Sequence, residues 1–548
     1  MFGHPKGLVI LFFTELWERF SYYGMRAILV LYIYSSIEDG GLGWTRGEAL
    51  ELYGWYTMLV YVMSIPGGIL ADRVLGQKKT VMLGGLLLCL GHGILAIEAL
   101  WAFYTGLGLI VLGVGGLKPN ISTMVGGLYE KGDPRRDKGF TLFYIGINVG
   151  AFASSIIVGY VGEEIGWHYG FGLAGIGMAL GQIVYIYGQK YLREVGNYIP
   201  PKKIEGSNKN VPLTREEKDR MVVLLVSFLI IIVFWGAFEQ AGGLMNIYAK
   251  EKINRDFFGL FTIPASVFQS VNAFFIMTFG TAVAGYWVWH KRKGLESSSI
   301  FKMALGTMIM GLGFLMMAGA SVEAGAEEFG KAAMYWLILA YFLHTIGELC
   351  ASPVALSFIT KLAPARYAAI MMGLYFASTG FGNKVAGLIG ESAQPKPIQI
   401  EWVASADEVR PILPDAATAM DSAQTFLVKA EVFLEDGTLV LEKYETDDPI
   451  TDFVTFDDET KERLRGIIEG YGGLPSAPLH ATLDLTKGQE ESETYGGNVI
   501  VFESQNDREF NTFVFITAFT VGFGLLLLVF LPKLKRMTHG AEKEFGDK

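Results

Sequence analysis

The sequence predicts an all-α membrane protein: twelve helices in two bundles of six, with a small strand-rich insert between the eleventh and twelfth. Three observations carry that expectation. Of 548 residues, 51 % are hydrophobic and only 18 % are charged, below the roughly 25 % charged share of soluble chains. Apolar stretches recur, each long enough to cross ~30 Å of hydrocarbon. The charge is also divided by position: residues 391–509 hold 26 acidic and 9 basic side chains, so the remainder is mildly basic although the whole chain carries −10. Disorder, collagen-like repeats and disulfide-stapled secreted folds are excluded. Cys89 and Cys350 both lie in apolar runs and imply no disulfide framework.

Spans are expected at 8–36, 50–72, 80–100, 102–129, 139–162, 168–192, 220–249, 262–290, 299–320, 332–362, 366–390 and 511–532. Lys and Arg concentrate in the even-numbered connections (Arg73, Lys78, Lys79; Lys131, Arg135, Arg136, Lys138; Lys202, Lys203; Lys291, Arg292, Lys293) and in the tail at Lys533, Lys535 and Arg536. The odd-numbered connections are short and acidic, as at Glu38-Asp39, Glu163-Glu164 and Glu327-Glu328. The positive-inside rule then puts both termini in the cytoplasm and the acidic insert outside a cell membrane. No signal-peptide cleavage pattern precedes the first span, which is expected to act as its own insertion signal.

The chain therefore divides into a first bundle (1–192), a cytoplasmic linker with Pro200-Pro201 (193–219), helices seven to eleven (220–390), the acidic extracytoplasmic domain (391–510), helix twelve (511–532) and a cytoplasmic tail (533–548). Two six-helix halves flanking a pathway is the major-facilitator arrangement. An unrelated polytopic protein with a long middle loop would share the topology. In the insert, Ile398–Trp402 alternates as a strand does, and Thr425–Glu435 and Thr438–Tyr444 flank an Asp436-Gly437 hairpin signal. A short helix is expected at Glu459–Glu469, then strands at Leu479–Leu485 and Asn498–Glu503. The insert's acidity reads as a solvated face.

Ionisable groups inside spans are the informative residues, because each costs about 2.5–3.5 kcal/mol at a helix centre on insertion scales. Glu15, Glu18, Arg19, Tyr22 and Arg26 share a wedge of roughly 100° on the first span at 100° per residue. Two carboxylates sharing one guanidinium cannot both be fully neutralised, so one is a candidate proton carrier; a static ion pair fixing helix packing is the alternative. Lys118 follows a glycine run in the fourth span. Glu239-Gln240 lies toward the outer end of the seventh, and His344 and Glu348 are one turn apart in the tenth. Arg26 and Lys118 can receive a carboxylate and Glu348 an ammonium. Tyr23 and Tyr61 offer ring surface with polar tips, and Asn148 and Asn272 can meet backbone amides. Opposite charges held apart suit a zwitterion of small-peptide length; amino acids and doubly charged drugs satisfy the same chemistry.

Glu15-Leu-Trp-Glu18-Arg19-Phe20-Ser-Tyr22-Tyr23-Gly24 resembles the ExxERFxYYG element of the proton-dependent oligopeptide transporter family. Gly67-Gly-Ile-Leu-Ala-Asp72-Arg73-Val-Leu-Gly76, Phe140–Gly150, Phe238-Glu239-Gln240 and Gly347-Glu348-Leu349 with Ser352-Pro353 resemble its second-, fifth-, seventh- and tenth-helix elements. The likeness covers about 1–390 plus the last span. It implies proton-driven uptake of di- and tripeptides by alternating access, with Glu15, Glu18 and Arg19 as the proton-coupling element. By the same resemblance Arg26 and Glu239 pair to shut the outer gate, with Glu239 also titrating. Lys118 and Glu348 pair toward the inner side and bind the peptide ends, and Tyr22, Tyr23, Tyr61, Asn148 and Asn272 line the cavity. Two departures stand out: Tyr375, in Gly373-Leu-Tyr375-Phe-Ala-Ser378, occupies a position where Trp is common, which reshapes a side-chain pocket that Ser378 also borders. Many bacterial members carry two extra helices in the middle loop, for which 193–219 is too short, and animal members place an extracellular domain between the ninth and tenth helices, whereas the insert here lies between the eleventh and twelfth.

Other signals are decoys. Gly170-Phe-Gly172-Leu-Ala-Gly175 spells a dinucleotide fingerprint but lies in a membrane helix with no preceding strand. Asn120-Ile-Ser122 is a sequon inside a span, and His92 reads as a packed helix residue. No enzyme motif is found, so no catalytic residue, metal or cofactor is expected, with protons as the coupling ion. Nucleic acid is not an expected partner, and a monomer is the expected working unit. The rival readings are a transporter of the same fold for nitrate, an amino acid or a drug, and a membrane receptor or enzyme acting through 391–510.

Overall fold

A computed structural model describes residues 3–37, 39–130, 133, 135–198, 213–326, 330–364, 367–394 and 506–541, and the backbone of six strands between 398 and 500. Among the described residues there are twelve helices of membrane length. In the first half these are α1 (Lys6–Tyr34), α2 (Arg46–Leu75), α3 (Gln77–Leu95), α4 (Leu100–Gly127), α5 (Lys138–Ile165) and α6 (Trp167–Tyr191). The second half holds α7 (Arg215–Phe238), α8 (Ala265–Arg292), α9 (Ser299–Ala326), α10 (Met334–Leu362), α11 (Ala368–Ala393) and α12 (Asn506–Met537). By length and composition 10 segments qualify as membrane spans. The helix α1 fails that measure because it holds Glu15, Glu18, Arg19 and Arg26, and α11 holds Asn383 and Lys384, which reach across to α2.

Two helices begin earlier than the apolar runs suggest. Thr45 and Glu48 form a reciprocal cap at the start of α2, and Thr214 and Glu217 do the same for α7. Each satisfies two orphan backbone N–H groups with polar residues that hydropathy alone reads as loop. The seventh span differs more. Instead of running unbroken over 220–249, α7 stops at Phe238, turns through the 3₁₀ segment Glu239–Ala241 and resumes as a short helix, Leu244–Glu251. The Gly242-Gly243 pair allows the break, and a Cβ at Gly242 would collide with the Tyr53 ring oxygen.

Glycine lets the first half pack closely around α1. A Cβ at Gly146 of α5 would stand 2.9 Å from the Phe12 ring, and one at Gly181 of α6 would stand 2.9 Å from Trp17 Cβ. Close backbone approach through small residues is how membrane helices associate without a hydrophobic driving force. The decoy glycines serve the same end, with Gly170 against Ile28 and Gly162, and Gly175 against His92. His92 is buried with neither ring nitrogen bonded, and Asn120 donates to Gly116 O at 2.8 Å.

The two halves meet along α2 and α11, where a Cβ on Gly54 would lie 2.9 Å from Gly387 Cα. They meet again where α5 faces α8, through the Phe152 and Phe274 rings. In the insert, β1 (Ile398–Ser405), β2 (Thr425–Val432), β3 (Val440–Glu442), β4 (Phe453–Thr455), β5 (His480–Lys487) and β6 (Thr494–Ile500) are described. An antiparallel sheet has the order β6-β5-β2-β1, and β3 pairs β4. The expected turn at Asp436-Gly437 lies outside the described residues, and the strands flanking it are not paired with each other: β2 has β1 on one edge and β5 on the other, and β3 pairs β4. The helix expected at Glu459–Glu469 lies outside the described residues.

Candidate functional site

The charged stripe of α1 is fully enclosed. Glu18 is 0 % exposed, Glu15 1 % and Arg19 3 %. Arg19 Nε donates to Glu15 Oε1 at 2.7 Å and lies 2.8 Å from Glu18 Oε2. Only the Glu15 contact has hydrogen-bond geometry; neither oxygen of Glu18 has a hydrogen-bond partner. One guanidinium N–H is thus offered to two carboxylates and satisfies one of them. A carboxylate buried without donors is stable when it carries a proton and costly when it does not. Lys118 of α4 lies within electrostatic reach of Glu15, Glu18 and Arg19, with its Nζ 3.6 Å from the centre of the Tyr61 ring.

Two turns further along α1, Arg26 crosses to the second half. Its Nη1 donates to Glu239 Oε1 at 3.1 Å, both side chains being buried. Glu239 is the first residue after α7 and still has helical backbone angles, so the helix itself delivers its side chain to Arg26 and the break comes only beyond it. Tyr53 of α2, which the sequence reading did not single out, donates its hydroxyl to Glu239 Oε2 at 3.2 Å. The Tyr23 ring is shared, with Arg26 5.2 Å and Arg19 6.0 Å from its centre. Removing one partner of such a buried pair leaves an uncompensated charge, at about 3–5 kcal/mol.

The second half supplies Glu348 of α10, whose Oε2 accepts from Asn272 Nδ2 at 3.0 Å; the same amide nitrogen is 3.0 Å from Thr345 Oγ1. Glu348 is in electrostatic reach of Glu239 and Arg26. The expected Lys118–Glu348 ion pair is not formed: the lysine rests on Tyr61 and the carboxylate on Asn272. A cleft of about 1680 Å³, lined by α5 from the first half and by α8, α10 and the end of α12 from the second, reaches Asn148, and neither Lys118 nor Glu348 lines it. On the other face, past Arg26 and Glu239, the halves are in contact. The two halves are therefore in contact at one end and parted by the cleft at the end bearing the chain's C-terminal residues.

The remaining expected residues are placed as follows. Tyr22 is buried against Tyr23, with ring centres 5.5 Å apart. Asn148 borders the cleft but gives its amide to Tyr144 O of its own helix at 2.9 Å, and Ser378 likewise bonds Leu374 O at 2.7 Å. Tyr375 lies in reach of Tyr61. His344 belongs to the packing of the second half, its ring 4.5 Å from that of Phe314. The sequence reading missed Tyr53 and Thr345. The signal for Tyr53 was present, since Tyr53, Tyr56 and Tyr61 recur along one apolar span.

A twelve-helix bundle in two halves, with charges from both halves meeting in one chamber, defines a secondary transporter of the major facilitator type. The POT family profile matches residues 78–213 and 201–402. "Uncharacterized transporter YclF" of Bacillus subtilis (strain 168) is 38 % identical over 444 residues, which is 71 % of this chain and 88 % of that protein. The chain belongs to the POT family. Peptide transporter YePEPT of Yersinia enterocolitica is 34 % identical over 450 residues, again 71 % of this chain and 88 % of its own. Among solved structures, a crystal structure of peptide transporter POT in complex with sulfate superposes with a TM-score of 0.72 at 30 % identity, covering 98 % of this chain and 96 % of that one.

Proposed function

We propose that this protein is a proton-coupled symporter that imports di- and tripeptides by alternating access, with both termini in the cytoplasm. The observation that carries the reading is the division of charge: α1 holds an over-committed Glu15–Arg19–Glu18 group, Arg26–Glu239 joins the two halves, and Lys118 and Glu348, one from each half, rest on Tyr61 and Asn272 instead of on each other. A peptide carboxylate fits the cations at Arg26 and Lys118, and its ammonium fits Glu348. Protonation of a first-helix carboxylate or of Glu239 frees an arginine, which links proton entry to opening of the gate. The names of relatives agree in direction, among them a di-/tripeptide transporter of Lactococcus lactis, 36 % identical over 437 residues.

The test is uptake by proteoliposomes. Labelled dialanine accumulates under an inward proton gradient, unlabelled di- and tripeptides compete, and nitrate and single amino acids do not. If dialanine neither accumulates nor competes, the peptide assignment fails; accumulation of nitrate or a free amino acid identifies the other cargo. Deleting 391–510 retains uptake on this reading, whereas a receptor or enzyme acting through the insert loses its output.

A further inference from the structure

The end of α5 holds a carboxylate for which the gating pair has no use. Glu163 is almost fully buried, its side chain 3 % exposed. It belongs to the first half, yet its donors come from the second. Glu163 Oε1 accepts from the backbone N–H of Ser266 at 2.7 Å and from the Ser266 hydroxyl at 2.6 Å, and Oε2 accepts from the backbone N–H of Ala265 at 3.2 Å. Those N–H groups open α8 immediately after Pro264, and no residue of α8's own entry segment caps it. Lys250 Nζ adds a contact at 3.7 Å and lies 5.1 Å from the centre of the Trp167 ring. Gly159, one turn back on α5, lets Ser266 come this close, since a Cβ there would overlap the serine hydroxyl.

We propose that Glu163 is a positioning residue of the transport cycle: it caps α8 across the interface between the halves and forms a second outer latch, separate from Arg26–Glu239. Helix N-termini favour a carboxylate because exposed N–H groups and the helix dipole both point at it. Here cap and helix belong to bodies that must separate when the outer face opens, so opening uncaps α8. The same helix carries Asn272, six residues or about 9 Å along the axis from Ser266, and Asn272 holds Glu348. Glu163 thereby fixes the helix whose Asn272 holds the ligand-facing carboxylate of α10 whenever the outer face is shut. Glu164, its neighbour in sequence, makes none of these contacts.

The inference rests on alternating access but not on the identity of the cargo, and its test needs no transport. Spin labels go on exposed outer positions of the two halves, Glu98→Cys and Lys331→Cys, with Cys89 and Cys350 replaced by Ser. Distance distributions are then recorded in nanodiscs at fixed pH. Glu163→Ala raises the ratio of separated to closed outer distances about tenfold. Glu163→Gln, which keeps an accepting oxygen but no charge, raises it less, and Glu164→Gln leaves it unchanged. Ser266→Ala and Lys250→Met move it in the same direction if the alanine variant expresses poorly. An unchanged distribution in Glu163→Ala, under conditions where Arg26→Ala separates the labels, overturns the proposal. Equal shifts in the Ala and Gln variants overturn the capping account in particular. Failure of dialanine uptake in the wild type bears on the cargo and leaves this result standing.

Discussion

Replacing Tyr53 by Phe removes one oxygen and leaves the ring, so it tests the outer gate with little effect on packing. Tyr53 is 1 % exposed, and its hydroxyl is one of two donors on Glu239, the other being Arg26. Hydrogen bonds to charged groups contribute about 1.5–3 kcal/mol, but 3.2 Å is long for an O–H donor, whose usual range ends near 3.0 Å. The lower end, about 1.5 kcal/mol, corresponds to slightly more than tenfold in an equilibrium constant, since about 1.4 kcal/mol is a factor of ten. In the open state Glu239 meets water, so the loss falls on the closed state alone. Tyr53→Phe is therefore expected to raise the ratio of outward-open to closed molecules about tenfold, with no large change in melting temperature. The assay is the distance distribution between labels at positions 98 and 331, supported by the rate at which a cysteine at Gly47 reacts with a membrane-impermeant maleimide. If both measurements match the wild type while Glu239→Ala opens the gate, the tyrosine hydroxyl does not bear on closure and the account of the Glu239 environment is wrong.

Glu18→Gln is expected to abolish accumulation against a gradient while counterflow exchange persists, because cargo contacts lie at other residues. One pH unit is worth 1.36 kcal/mol per proton, so the roughly tenfold accumulation it can drive per coupled proton falls to unity; full concentrative uptake would remove Glu18 from the coupling. Gly54→Leu places a side chain where Gly387 Cα stands 2.9 Å from the first added carbon, and overpacking of this kind costs about 1–3 kcal/mol. A lowered melting temperature and weaker crosslinking between α2 and α11 would register it. Glu296, outside the spans, gives a pH control. Partial burial opposes its ionisation, but bonds from Lys535 and Ser298 win and push it down to about 2. Its tether to α12 is thus fully present above the ordinary carboxylate value of 4.5 and is lost only as pH falls toward 2. Lys535→Ala should leave the shape of the transport pH profile between 5 and 8 unchanged.

The fold was legible because lipid imposes a crude rule: length and hydropathy are enough to count spans. The site was legible for the same reason, since Glu15, Glu18, Arg19, Lys118 and Glu348 are residue types that a bilayer excludes unless they face a cavity or a partner. What escaped the sequence was whatever depended on partners from elsewhere in the chain. Tyr53 looks like any interfacial tyrosine until the packing of the second half against α2 brings Glu239 to it. Glu163 sits in an acidic pair of the kind that usually faces water, and only the approach of Ser266 along the Gly159 groove identifies it as a cap. Asn148 and Ser378 show what sequence cannot give, since each donates one hydrogen bond to the preceding turn of its own helix.

The arrangement also bears on which half does the moving. Arg19 and Arg26 are separated by seven residues, about 10 Å of rigid helix, and α1 is clamped on both sides where α5 and α6 approach it through glycine. The Glu15–Arg19–Glu18 group therefore cannot transmit a proton's arrival to Arg26 by shifting along α1 without disturbing the whole first half. What it can change is charge: a proton on Glu18 alters the field at Lys118 and at the Tyr23 ring that both arginines share. The first half's partners on the other side of the interface sit at helix ends, Glu239 where α7 breaks and Ser266 at the start of α8. Substitutions in the first-half group should thus change how strongly protons drive the cycle while leaving the closed outer geometry intact. Substitutions at Glu239 or Ser266 should change the geometry first. A Glu18→Gln variant whose outer distance distribution shifts as far as that of Glu239→Gln would contradict this division of labour.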